Sequence, residues 1–439
     1  RWAELYKTVY GVVPEFPKDL PRSLVMTGWR YGNFVPWEEG QITQKYGIPK
    51  PHKSSVSSWQ RRKEQARDAI EARNYQQALS LLNNHGQTDG INLADALWLR
   101  GWLKFEFLKN YQGAYKDFYD LYEHVSYPVS LSRGAYWAGQ AAKKNNNPDI
   151  AKRWFQHAAA HPTTFYGQLA LLELPGSAMI HLADQSKPAE KSHFTAVEQD
   201  TINLIQLLAQ HKQNYSVEVF LKALASKQKK KAENWQWLGE FARRLGYPHY
   251  AVRLAKQALQ EQHLFLSDLS HPIRNVPNSI IEEPLTLAIT RQESEFDPRA
   301  KSGANATGMM QLLPSTAQLT AKRFGESYAY YRLYEPDYNM NLGSYYLHTL
   351  IDNYGGNYVL AIAAYNAGPG NVRRWISRFG RPDPRSLEST LRWIEMIPFS
   401  ETRNYVQRVL ENVQVYRHEL KKNVVLTPAN YWGKPAASR

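Results

Sequence analysis

The spacing of apolar and polar residues changes character along the chain. Residues 1 to about 60 are rich in proline and tryptophan, and their short helical phrases are broken at Pro14, Pro17, Pro21, Pro36, Pro49 and Pro51. From Trp59 onward the pattern is helical, in long stretches of Ala, Leu, Lys, Gln and Glu, with no convincing alternating strand segment. Between 265 and 282 a cluster of Ser267, Ser270, His271-Pro272, Pro277 and Asn278-Ser279 marks a boundary. Beyond it Gly, Asn, Tyr and Met replace the Ala/Lys/Gln texture. The pattern predicts an all-α chain in four parts. These are an N-terminal helical and irregular segment over 1–59, a helical domain with its linker over 60–270, a second helical domain over 271–420, and a tail over 421–439.

The first helical domain repeats itself. Asn74-Tyr75-Gln76-Gln77-Ala78-Leu79 returns as Asn110-Tyr111-Gln112-Gly113-Ala114-Tyr115. Looser copies follow at Asn147-Pro148-Asp149-Ile150-Ala151 and Tyr247-Pro248-His249-Tyr250-Ala251. Gly139 and Gly239 precede Ala151 and Ala251 by the same interval. A short turn before a small residue lets two helices cross closely, so each copy reads as a helix–turn–helix of tetratricopeptide type, and the stack as a solenoid. The basic run Lys227-Gln228-Lys229-Lys230-Lys231 reads as a solvated helix end or loop.

Composition narrows the chemistry. The 439 residues, 43% hydrophobic and 21% charged, are enough for two or three packed domains. The absence of cysteine removes disulfides, thiol nucleophiles and cysteine metal sites. A net charge of +14 suggests an anionic partner. That excess divides into +9 over 1–270 (34 basic, 25 acidic) and +5 over 271–439 (20 and 15), with no focused stripe. Neither helix-turn-helix, RNP nor zinc-finger signatures are legible, so nucleic acid is not the expected partner. Twenty-eight tyrosines and 13 tryptophans suit stacking on flat ligands, sugar rings included. No run of eighteen apolar residues exists to span a membrane. A start at Arg1 without a leader is expected of a mature product or fragment, with any signal sequence outside this chain.

The residues that carry chemistry lie past the boundary. Pro284 suits the first turn of a helix that Asp297-Pro298 ends. Leu285, Ile289 and Phe296 mark its apolar face, and Glu293 falls on the same stripe. A carboxyl there loses solvation and should have its pKa raised, as a general acid near neutral pH requires. Glu295, two positions on, points elsewhere.

Four phrases occur in order: Arg291-Gln292-Glu293-Ser294, Gly308-Met309-Met310-Gln311, Ala364-Tyr365-Asn366-Ala367-Gly368, and Ile397-Pro398-Phe399-Ser400-Glu401-Thr402-Arg403-Asn404-Tyr405-Val406. Together they resemble the soluble, Slt-type lytic transglycosylases. His161-Pro162-Thr163-Thr164-Phe165-Tyr166-Gly167 resembles a phrase of the same family's helical portion. The resemblance is strong over 283–417, moderate over 60–282 and weak before that. It implies a tetratricopeptide-like superhelix over 60–270 followed by a lysozyme-like catalytic domain over 271–420. Glu293 matches the family's single acid/base, and Ser302 a serine beside it. Gln311 matches a glutamine lining the sugar site, and Tyr365 a tyrosine near the catalytic carboxylate. Glu401 matches a substrate-contacting glutamate, and Met310 and Asn366 complete the implied substrate-binding set. Met309 replaces the family's leucine, a volume-conserving swap. Leu313 stands where some members carry methionine, which puts a thioether contact to sugar in doubt. Ten tyrosines between 328 and 365 give a density that suits a sugar groove.

The activity implied is cleavage of the bond between N-acetylmuramic acid and N-acetylglucosamine of peptidoglycan, with formation of 1,6-anhydromuramoyl ends. Neither metal nor cofactor is implied. The partners are glycan strands, with cell-wall synthesis proteins as further candidates, and the compartment is the periplasm. Two other readings use the same residues. A hydrolase of goose-lysozyme type needs a second carboxylate to activate water. A non-catalytic cell-wall scaffold would use the solenoid alone. Glu401 paired with Arg403 or Arg408 would be a surface residue with no role in catalysis.

Overall fold

A computed structural model describes residues 29–30, 33–34, 58–176, 178–184, 186, 194–228, 232–276, 279–422 and 425–433. Expectations for the rest of 1–57, for residues 229–231 of the basic run, for Pro277-Asn278 and for the end of the tail lie outside the described residues. Among the described residues the chain is all-α, as its pattern predicts. Among these residues the only strands are β1 (Trp29–Arg30) and β2 (Asn33–Phe34), a two-residue antiparallel pair, with isolated bridges joining Thr307 to Lys301 and Leu312.

The chain forms two compact units that are not contiguous in sequence. The smaller comprises Arg1–Ser58 and Lys191–Lys229. In it α8 (Ala196–Gln210) packs on α9 (Asn214–Ser226) through Ile202, Ile205 and Leu208 against Val217, Leu221 and Leu224, all buried. Thr195 and Glu198 close a capping box on α8.

The larger unit, Trp59–Glu190 with Lys230–Arg439, carries the expected helix pairs. They are α1 (Ser58–Glu71) with α2 (Tyr75–Asn83), α3 (Gly90–Glu106) with α4 (Tyr111–Glu123), and α5 (Pro128–Lys144) with α6 (Pro148–Ala159). Next come α7 (Phe165–Glu173), then α10 (Ala232–Arg244) with α11 (Pro248–Gln262), and the single turn α12 (Ser267–Ser270). Each repeated phrase begins one of the second helices. The residue before it adopts the left-handed conformation, at Arg73, Lys109, Asn146 and Gly246. The following amide reaches back to close a Schellman turn, as in Asn74 N–H to Ala69 O and Tyr247 N–H to Ala242 O. Asn74 and Asn110 then cap the new helix by accepting from Gln77 N and Gly113 N. The same turn recurs at Lys212, between α8 and α9, a copy too divergent to find by sequence. Gly139 is forced by close packing, since a Cβ there would meet the Phe155 ring of α6; Gly239 instead admits Leu269 of α12.

The remaining helices are α13 (Glu283–Ser294), α14 (Pro314–Phe324), α15 (Pro336–Asn353), α16 (Tyr358–Ala367), α17 (Pro369–Phe379), α18 (Leu387–Met396), α19 (Ser400–Glu419) and α20 (Pro428–Tyr431). A 3-10 turn spans Tyr330–Tyr334. One continuous apolar core runs from α1 to α7 into α13, α16 and α19. The 20-residue α19 packs on α13, α16, α18 and α7, so it joins the solenoid to the later helices. The phrase His161–Gly167 is the solenoid's side of that joint. Thr164 caps α7, the Phe165 amide donates to Glu411 Oε2 at 2.6 Å, and the Tyr166 hydroxyl donates to Glu395. A Cβ on Gly167 would strike the His161 carbonyl.

Candidate active site

The last turn of α13 delivers Glu293. Leu285 and Ile289 are fully buried and Phe296 nearly so, as the stripe predicts, and α13 lies flat against α19. Its base is held by polar bonds. Buried Arg291 donates from Nε to Ser270 O at 2.6 Å and from Nη1 to Asn412 Oδ1 at 3.0 Å, and the His271 ring meets the same Asn412 oxygen. Burial keeps His271 well below its ordinary pKa, so it stands neutral beside the arginine.

Glu295 and Phe296 both take positive φ, 55° and 69°, which ends the helix abruptly and splits the acidic residues apart. Glu295 is bound by Arg253 Nε at 2.6 Å and Lys256 Nζ at 2.5 Å. Asp297 accepts the Arg299 amide in a turn. Of these three acidic residues, Glu293 is the one bonded by a tyrosine hydroxyl. Its half-buried carboxyl is pushed up to about 7, first by desolvation and further by the nearby charge of Glu401. Opposing these, the Tyr405 hydroxyl donates to Oε1 at 2.6 Å and favours the ionised form.

The structure therefore gives the hydrogen bond on Glu293 to a residue that the motifs did not single out. Tyr405 is buried in α19, one helical turn after Glu401. Its signal in the sequence was its spacing: i and i+4 on one helix share a face. Burial, and then the nearby charge of Glu293, pushes the pKa of Tyr365 up, yet its hydroxyl donates to the Met310 carbonyl at 2.8 Å. The Tyr346 ring sits 5.4 Å from that of Tyr365.

The loop opposite is built from the Gly308–Gln311 phrase. Asn339, fully buried in α15, accepts the Met310 amide at 2.7 Å and donates to the carbonyls of Thr307 and Leu333, each at 2.9 Å. Gly308, at φ 80°, has no room for a side chain between Asn339 and the Leu333 carbonyl. Gln311 also takes positive φ, 48°. Its amide NH2 is fixed by two acceptors, Ala300 O and Gly308 O, which turns the amide oxygen the other way. Met310 is buried and its sulfur fills the space that Gly343 leaves open.

Ser302 is exposed, and its hydroxyl accepts the Ala306 amide in a loop turn. Asn366 accepts from Thr402 Oγ1 at 2.6 Å and ties α16 to α19. Glu401 is exposed in the first turn of α19. Arg403 and Arg408 pair with Glu395 and Glu411, so neither is the partner of Glu401. Glu293, Tyr365, Tyr405 and Glu401 are thus electrostatically linked, whereas Ser302 and Gln311 are occupied within their own loop. Among the described residues no group of three or more His, Asp or Glu side chains converges as a metal site.

Residues 272–387 match the family model described as the Transglycosylase SLT domain. This part of the chain is similar to that domain. Residues 396–424, which contain α19, match the model of the soluble lytic transglycosylase helical domain. The soluble lytic murein transglycosylases of Salmonella typhimurium and Escherichia coli K12 are 41% and 40% identical to the chain over 157 residues. Each match covers 35% of this chain and 23% of the relative, so the chain matches about a quarter of these relatives' own length. A solved inactive glutamate-to-glutamine mutant of the lytic transglycosylase Slt of Pseudomonas aeruginosa is similar in fold over 86% of this chain and 60% of its own, with a TM-score of 0.65 and 26% identity. The 70 kDa soluble lytic transglycosylase of Escherichia coli shares the fold, with a TM-score of 0.57 and 21% identity over 85% of this chain and 65% of its own. A superhelix followed by a lysozyme-like domain is therefore the architecture of both the chain and its structural neighbours.

Proposed function

We propose that the chain is a lytic murein transglycosylase, a lyase of the periplasm. Its superhelical part is 60–270, its catalytic part 271–420, and Glu293 is its single acid/base. The observation that carries the reading is the desolvation of that carboxyl, while the acidic residues that follow it in the chain are engaged elsewhere. Glu293 is held near pKa 7, while Glu295 is locked between two cations and Asp297 serves a turn. A hydrolase would need a second carboxylate placed to activate water. A substrate that supplies its own nucleophile needs one carboxyl only.

In the reaction Glu293 gives its proton to the glycosidic oxygen between N-acetylmuramic acid and N-acetylglucosamine as the bond to C1 breaks. The 2-acetamido group stabilises the positive charge at C1. Glu293, now a carboxylate, takes the proton of the muramoyl C6 hydroxyl as that oxygen closes on C1. The product is a 1,6-anhydromuramoyl end, no water is consumed, and Glu293 is again protonated. Tyr405 holds the carboxylate in place between the two transfers. The relatives named as murein transglycosylases and the inactivity of a glutamate-to-glutamine Slt support this assignment. Ser302, Met310, Gln311, Tyr365, Asn366 and Glu401 are the proposed substrate-binding set, and proteins of wall synthesis are the proposed partners.

A digest of purified peptidoglycan analysed by mass spectrometry tests it. Wild type is expected to yield muropeptides lighter by one water than hydrolysed ones, and Glu293→Gln to yield none. Incorporation of labelled water into the products would overturn the reading.

A further inference from the structure

Glu293 is the penultimate residue of α13, so its aim depends on how the chain leaves that helix. Before it, Arg291 is tied to Ser270 and Asn412; after it, the buried Ser294 hydroxyl donates to the Met309 carbonyl at 2.7 Å. The chain then passes through two left-handed residues in succession, Glu295 and Phe296. Neither is glycine, the residue that takes this conformation without steric cost. Phe296 is anchored by burial in the apolar core. Glu295 is anchored by charge, and the anchor belongs to the solenoid.

Arg253 and Lys256, one turn apart on α11, both close on the Glu295 carboxylate. The Glu295 side chain is only 18% exposed, so the two charge-assisted bonds are largely shielded from water. Burial opposes its ionisation, yet Lys256 and Arg253 hold the carboxyl below its ordinary pKa, while that of Glu293, two positions earlier, is held near 7. The Arg253 guanidinium lies 5.6 Å from the ring centroid of Tyr250 on the same helix. The contact continues along the chain. Asp297 lies 3.9 Å from the His249 ring nitrogen, and Arg299 lies 5.4 Å from the Tyr247 ring centroid. Residues 295, 297 and 299 thus all meet α11 or the residue that precedes it. The solenoid's own turns differ, since their left-handed residues Arg73, Lys109 and Asn146 carry exposed side chains.

We propose that Glu295 is a positioning residue for Glu293, and that Arg253 and Lys256 of α11 hold it in the left-handed turn that aims the Glu293 carboxyl at Tyr405. The inference rests on the reading of Glu293 as the acid/base. Rates on soluble peptidoglycan strands test it in Glu295→Ala, Glu295→Gly and the pair Arg253→Met with Lys256→Met, each assayed well below its own unfolding midpoint. Alanine has no anchor and disfavours the turn, so kcat should fall by about tenfold or more with KM little changed. Glycine adopts the turn unaided and should keep kcat within about threefold of wild type. The methionine pair should follow alanine, and Glu295→Gly added to that pair should restore most of the lost rate. Burial is the largest cause of the raised Glu293 pKa, so a carboxyl swung out of place titrates lower. The basic limb of the kcat/KM profile should therefore move down in Glu295→Ala and stay in place in Glu295→Gly. Equal losses in the alanine and glycine variants, or an alanine variant with the kcat and limb of wild type, would each overturn the proposal. Glu293→Gln measured alongside separates the two readings. Wild-type activity in Glu293→Gln removes the acid/base reading, whereas an inactive Glu293→Gln beside an unimpaired Glu295→Ala removes the positioning role alone.

Discussion

In the proposed reaction Glu293 must hold a proton at the start, so the reactive fraction is expected to fall as pH rises through about 7. Its two polar neighbours act on that value with opposite sign. The Tyr405 hydroxyl bonds the ionised carboxylate and lowers the pKa, while the charge of Glu401 opposes ionisation and raises it. Tyr405→Phe is therefore expected to move the basic limb of the kcat/KM profile upward by roughly one pH unit. Glu401→Gln should move it downward by roughly half a unit, less at high salt because Glu401 is exposed. Shifts of the same sign in both variants would show that neither residue acts through the Glu293 proton. The pH-rate profile distinguishes this from a purely structural role, which would lower the rate without moving the limb. The desolvated position of Glu293 was legible in the sequence because its spacing from Leu285, Ile289 and Phe296 puts a carboxyl on an apolar face. Tyr405 was not, because its meeting with Glu293 is made by packing two helices 112 positions apart.

At the scale of elements, the pairing of helices in the solenoid was written in the repeated Asn-Tyr and Pro phrases, since each marks a capped helix start after a left-handed turn. The loop facing Glu293 was not legible in that way. Positive φ at Gln311 and the bridges of Thr307 follow from long-range bonds, above all those of Asn339, which meets three backbone groups from α15. Asn339→Leu keeps the volume and strands the Met310 amide and two carbonyls inside the protein. The expected loss is about 3 kcal/mol or more of stability, each stranded group costing about 1–3 kcal/mol. The Met310 carbonyl that receives Tyr365 should shift with the loop, so activity should fall even where the protein is fully folded. Urea denaturation and the rate at low temperature check both effects. A variant of native stability would mean that water replaces the asparagine.

At the scale of the larger unit, the solenoid and the later helices are held together by a buried charge. Glu395 of α18 is fully buried, and it receives the Tyr166 hydroxyl of α7 and Gln407 Nε2 of α19. Arg133 of α5 lies 3.5 Å from it and Arg403 of α19 3.8 Å, while Arg67 of α1 donates to its backbone carbonyl at 3.2 Å. Arg133 also stacks 3.6 Å from the Trp98 ring centroid of α3. Burial, and then the like charge of Arg403, holds Arg67 well below the usual guanidinium range, which marks how crowded this positive cluster is. One carboxylate thus compensates cations drawn from both halves of the unit. Glu395→Gln preserves shape and acceptors but leaves those cations without their counter-charge. Breaking a buried pair in this way costs about 3–5 kcal/mol. Because the groups come from α1, α5, α7 and α19, the loss should fall on the joint and not on either half. Wild type should unfold in one calorimetric transition of the larger unit, and Glu395→Gln in two separated steps, with Glu293 chemistry intact below the first. A single transition with unchanged midpoint would show that the continuous apolar core alone joins the halves.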